Sequence, residues 1–193
     1  GVSGYGRIFV PINFRLSHDE ISYIVDHCGA SMLLVDPSME DTCKDIDVEH
    51  FVVMGTDSDD QMYLSGGEPE LWTPNEDVTA TINYTSGTTA RPKGVEQTHR
   101  ALWVNATTFG LHAGVSDRDN YLHTLPMFHC NGWGMPYAVT GMGGKHVVLR
   151  EVRGEDILHR IEEHDITYMC GAPAVVAAIL EAAQDWEGEI PGR

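Results

Sequence analysis

Short β-prone runs alternate with helix-like segments along the whole chain, and that alternation most narrows the folds open to it. Residues 8–12 (Ile-Phe-Val-Pro-Ile) read as a strand. Ser17 then opens a helix, with Glu20 placed for a capping box, Ile21, Ile24 and Val25 on one face, and Gly29 as its stop. Residues 31–35 and 51–54 read as the next strands, and the polar, acidic stretch 55–77 as an exposed connection. Residues 78–84 (VTATINY) are strongly β-prone, then come a Gly/Thr/Ser/Pro loop and a helix near 100–109. Further strands are expected at 121–125, 146–149 and 166–169, with helices around 156–161 and 174–183. This order predicts an α/β fold with a mostly parallel sheet flanked by helices.

With 193 residues the chain is long enough for one domain, burying roughly 70% of the surface its unfolded form exposes. Its 12 basic and 29 acidic residues leave a net charge of -17. A chain this acidic lacks the footprint of a nucleic-acid binder and the polybasic segment that seeks anionic membranes. A site for an anion must therefore be built locally, which screening over about 8 Å at physiological salt permits. Arg91, Lys93, His99 and Arg100 make one such basic stretch, opposed only by Glu96.

Cys28, Cys43, Cys130 and Cys170 form no Cys-x-x-Cys pair, so reduced, buried thiols are expected rather than a zinc ribbon or a disulfide scaffold. His123 and His129 lack helical ligand spacing, and no metal site is expected. The most apolar stretch, 172–180, is too short for a membrane span and contains Pro173. No secretory leader pattern is present, and a cytoplasmic location is expected.

Chemistry concentrates in Tyr84-Thr85-Ser86-Gly87-Thr88-Thr89-Ala90-Arg91-Pro92-Lys93-Gly94-Val95. Hydroxyls and free backbone N–H groups can wrap phosphate oxygens, and a lysine adds positive charge. Gly87 and Gly94 permit close backbone approach and positive φ, and Pro92 stiffens the exit. A Walker loop is excluded: counted from Gly87, Pro92 stands at its second glycine and Gly94 at its magnesium-holding hydroxyl.

The segment instead resembles the phosphate loop of the adenylate-forming superfamily, which includes acyl-CoA synthetases, firefly luciferase and the adenylation domains of peptide synthetases. Of that pattern's fixed positions only one departs, with Ala90 where the family has glycine. The resemblance implies that Thr85, Ser86, Gly87, Thr88 and Thr89 contact the ATP phosphates and that Lys93 supplies electrostatic, catalytic support. Residues 125–135 (LPMFHCNGWGM) resemble the family's next motif, in which a strand ends in Pro and His before a glycine-containing turn into a helix. By that resemblance His129 borders the acyl pocket in a catalytic position, and Asn131 and Trp133 join it in binding the acid. Residues 10–16 (VPINFRL) and 171–173 (Gly-Ala-Pro) echo the family more loosely.

The resemblance implies an incomplete segment, residues 1–193, of the large N-terminal AMP-binding domain, without the C-terminal domain. The family's Tyr-Gly-x-Thr-Glu segment, ribose-gripping aspartate and distal catalytic lysine are not in this sequence. The expected activity of the parent enzyme is ATP-dependent activation of a carboxylic acid, a medium- or long-chain fatty acid, to acyl-adenylate and then acyl-CoA. Mg-ATP and CoA would be the co-substrates, and the segment alone is expected to bind ATP weakly without catalysis. An amino-acid adenylation domain and a non-catalytic nucleotide-binding module are the alternatives.

Overall fold

The computed structural model describes residues 1–55, 59, 72–73, 75–85 and 91–192. They form two compact units, one of residues 1–75 with 79–96 and one of 76–78 with 97–193.

In the first unit, helix α1 (His18–Cys28) begins at Ser17. The Glu20 carboxylate accepts from both the Ser17 backbone N–H and its hydroxyl at 2.8 Å, which lowers the Glu20 pKa. The helix stops at Gly29, whose φ of 63° suits a residue without Cβ. Its apolar face, Ile21 and Val25, packs with Leu33, Val35, Cys43 and Ile46 into one core. Leu33 and Val35 lie on strand β1 (Met32–Val35), which pairs in parallel with β2 (His50–Val53); the short helix α2 (Glu40–Cys43) lies between them. Strand β3 (Thr79–Thr85) pairs with β4 (Lys93–Thr98), whose first residues belong to this unit. Residues 8–12 do not form the expected strand. Phe9 alone bridges Thr81 in parallel, and Ile12 packs against the core instead.

The second unit opens with α3 (His99–Ala113), capped by Thr98, whose hydroxyl accepts from the Ala101 N–H at 3.1 Å. Strand β5 (Asn120–His123) is central to a parallel sheet between β6 (Lys145–Val148) and β7 (Tyr168–Met169). Helices α4 (Met135–Met142), α5 (Gly154–His164) and α6 (Pro173–Ala182) complete the unit. Tyr121, Met135, Ala138 and Val139 form one core cluster; Leu122, Val147 and Ile157 form another. The β1–β2, β5–β6 and β5–β7 pairings are parallel, as expected of the α/β class, although among the described residues the strands form three small sheets. Among the described residues no helix is long and apolar enough to cross a membrane.

The three-stranded sheet of the second unit carries a polar chain, buried only at His123, that sequence spacing did not suggest. Thr140 donates its hydroxyl to the Pro136 carbonyl at 2.7 Å, so it accepts from His146 Nε2 at 2.9 Å. His146 Nδ1 is then an acceptor, and His123 Nε2–H donates to it at 2.7 Å. Burial, with His146 alongside, pushes His123 down to about 4 from 6.5. The unfolded chain therefore binds a proton between those values that folded His123 refuses, so stability should decline as pH falls from about 6.5 toward 4. Urea titrations across that range should show the decline, and a His123→Gln variant should flatten it; an equally steep loss in the variant rules out His123 as its source.

Candidate functional site

Thr85 closes β3 and Lys93 opens β4, so the two strands are the stems of the phosphate-type loop. Both residues are exposed. Ser86, Gly87, Thr88, Thr89 and Ala90 lie outside the described residues. Lys93 was expected within the loop; it is the first residue of a strand instead, and among the described residues its ammonium has no hydrogen-bond or ion-pair partner.

Helix α1 holds both stems. On one side the Tyr84 hydroxyl lies 2.7 Å from His27 Nδ1, and burial pushes Tyr84 up to about 12, so it is a neutral phenol at ordinary pH. On the other side the Tyr23 hydroxyl donates to the Pro92 carbonyl at 3.4 Å, and the Arg91 guanidinium lies 5.3 Å from the Tyr23 ring centroid. Tyr23 and His27 are four residues apart, one helical turn, and so present to the two stems from the same face.

Of the two roles expected of Gly94, close approach holds and positive φ does not. A Cβ there would come within 2.8 Å of Ile82 Cγ2 and 3.3 Å of the Tyr84 ring, so glycine lets β4 pass close over β3.

His129, Asn131 and Trp133 fall on a single turn between β5 and α4. Cys130, Asn131, Gly132, Trp133 and Gly134 all have positive φ, from 49° to 71°, which makes a left-handed turn. Three of these residues carry side chains, at a cost of about 1–2 kcal/mol each where the conformation is fully left-handed. Strain of this size collects at functional sites when the surroundings hold it in place. Here Asn131 is 4% exposed, and its Nδ2 donates to the Gln97 Oε1 at 3.0 Å. Gly134 sits where a Cβ would come within 2.1 Å of Asn105 Oδ1 on α3. His129 and Trp133, in contrast, are exposed, Trp133 at 54%.

The structure thus gathers His129, Asn131 and Trp133, the residues expected to bind the acid, on one turn of the second unit, and Thr85 and Lys93 on the strand stems of the first. Gln97, Tyr23 and His27 escaped the sequence reading, because their importance lies in partners 34 to 69 positions away. The left-handed turn did leave a sequence signal: asparagine and two glycines within five residues favour positive φ. The cysteine expectation holds for Cys43, which is buried, but Cys130 is exposed. Among the described residues no group of three or more His, Cys, Asp or Glu side chains could hold a metal ion.

Comparison with known proteins gives the same outline. The family model described as AMP-binding enzyme matches residues 1–190. An acetate–CoA ligase of Humulus lupulus is 32% identical over 96% of this chain and 38% of its own length. A peroxisomal acetate/butyrate–CoA ligase of Arabidopsis thaliana is 30% identical over the same shares. The chain therefore spans well under half the length of these curated relatives. Among solved structures, the O-succinylbenzoate CoA synthetase of Bacillus subtilis in complex with AMP is 31% identical, with a TM-score of 0.77 over 91% of this chain and 45% of that one. The N-terminal domain of a Mycobacterium tuberculosis protein, FACL13, shares the fold with a TM-score of 0.83 at 24% identity, over 96% of this chain and 48% of that one. Loop sequence, parallel α/β units and family match agree: this chain belongs to the AMP-binding enzyme family.

Proposed function

We propose that the chain is the ATP-handling part of a carboxylic acid–CoA ligase, within the N-terminal AMP-binding domain of a longer enzyme. The observation that carries this reading is Lys93. An exposed ammonium with no partner among the described residues opens a strand directly after a hydroxyl-rich loop, and that suits a polyphosphate. In a protein of net charge -17, a cation with no carboxylate paired to it among the described residues can serve an anionic ligand.

In the proposed reaction a carboxylate oxygen attacks the α-phosphorus of Mg-ATP. The new oxygen–phosphorus bond forms as the bond to the bridging oxygen breaks, and pyrophosphate leaves. The CoA thiol then attacks the acyl carbon, loses its proton, and AMP departs. Lys93 would hold and neutralise the β- and γ-phosphates, with Thr85, Ser86, Gly87, Thr88 and Thr89 as their other contacts. His129 and Trp133 would face the acid, with the buried Asn131 serving the acid site from behind them. We take that acid to be a medium- or long-chain fatty acid, since the exposed indole of Trp133 offers an apolar wall. The relatives' own names, acetate and butyrate among them, make short acids the competing result.

Acid-dependent ATP–pyrophosphate exchange by the full-length protein, run over acetate, butyrate, octanoate and palmitate, tests the reading. Exchange is expected to be strongest with the longer acids. Exchange driven only by amino acids would point to a peptide-synthetase domain. ATP binding by calorimetry with no exchange would point to a non-catalytic module.

A further inference from the structure

We propose that Gln97 is a positioning residue for acid recognition: through Asn131 it holds the left-handed turn that carries His129 and Trp133. The inference rests on the functional reading above and adds to it a residue that the sequence motifs did not single out.

The turn has little to hold it from within. Its backbone bonds are short-range, from Gly132 N–H to the His129 carbonyl and from Gly134 N–H to those of Cys130 and Asn131. These bonds close loops of three or four residues, while five successive residues have positive φ. A restraint from outside is needed. Of the three acid-side residues only Asn131 points inward, at 4% exposure, whereas His129 and Trp133 face outward. A buried carboxamide must be bonded, and the Gln97 oxygen accepts from it at 3.0 Å across 34 residues of sequence. The inward side chain is thus the anchor, and the outward pair is what the anchor aims.

Gln97 is also well placed to hold it. It is half-buried near the end of β4, the strand that Lys93 opens four residues earlier. Thr98 follows immediately and caps α3 through the Ala101 N–H. A strand on one side and a capped helix on the other leave Gln97 little freedom, so its carboxamide is a rigid post rather than a tethered one.

Gln97→Met removes the acceptor at nearly constant volume, and Gln97→Glu keeps an oxygen that can accept from Asn131. In the full-length protein, Gln97→Met is expected to raise KM for the acid about tenfold, equivalent to about 1.4 kcal/mol. KM for ATP should stay within about twofold, and Gln97→Glu should restore most of the loss. Amide exchange at residues 130–134 should be about tenfold faster in Gln97→Met and near wild type in Gln97→Glu. An unchanged KM for the acid overturns the proposal, as does a parallel rise for acid and ATP. If the unaltered protein shows no acid-dependent exchange, the functional reading fails instead. Amide exchange then decides whether Gln97 holds the turn, and undiminished protection in Gln97→Met says that it does not.

Discussion

Gly134→Ala is expected to lower folding stability by about 2–5 kcal/mol, the largest effect of any single methyl group near the site. Two independent costs add. Gly134 has a φ of 71°, where a side chain costs about 1–2 kcal/mol. The new Cβ would also fall 2.1 Å from Asn105 Oδ1, and overpacking of this kind costs about 1–3 kcal/mol. Relief by movement is limited, because the next residue, Met135, is fully buried in the core with Ala138 and Val139. An Asn105→Ala change made on top of Gly134→Ala should recover the steric part and leave the backbone part. Denaturant unfolding of the single and double variants measures both. A single-variant loss below roughly 0.5 kcal/mol, the range of ordinary surface changes, would show that the turn is not held as described.

Lys93→Ala should do the opposite, leaving the fold intact and removing activity. Lys93 is exposed and without a partner among the described residues, so its loss should change stability by no more than about 0.5 kcal/mol. If its ammonium neutralises charge that builds on departing pyrophosphate, its removal should slow adenylation about a hundredfold, in the range seen when one preorganised transition-state donor is lost. KM for the acid should barely move, since the acid-side residues sit on a different turn. Single-turnover formation of acyl-adenylate by the full-length protein would separate the chemical step from binding. An unaltered rate in Lys93→Ala would remove the lysine from the mechanism, and with it the observation on which the proposed function rests.

Much of the architecture was legible before any coordinates. The Ser17–Glu20 cap, the Gly29 stop and the Ile21–Val25 face of α1 were all expected from spacing and are all present. Each is decided within about four residues, the range over which helix hydrogen bonds and side-chain neighbours act. The stretch at 93–98 failed for the complementary reason. The expectation there was a loop running on toward the helix near 100, yet β4 forms, with Gly94 clearing the Ile82 and Tyr84 side chains of β3. At residues 8–12 the error ran the other way: an apolar run suggested a strand, and only Phe9 found a pairing partner. Strand pairing is a property of two segments, and propensity speaks for one.

The candidate site divides along the same line. Residue types and their order from 84 to 95 carried the resemblance to the family's phosphate loop, because hydroxyls, glycines and a lysine in that order suit a polyphosphate whatever surrounds them. Only the tertiary structure decided that α1 clamps the loop stems through Tyr23 and His27, that Asn131 turns inward to Gln97 while Trp133 turns outward, and that Gly134 is required by Asn105. Those pairs are separated by 29 to 69 residues, and a one-dimensional pattern carries no record of which distant side chains will share a wall. The left-handed turn depends on such partners, since short-range preference alone would send Cys130 and Trp133 back to negative φ.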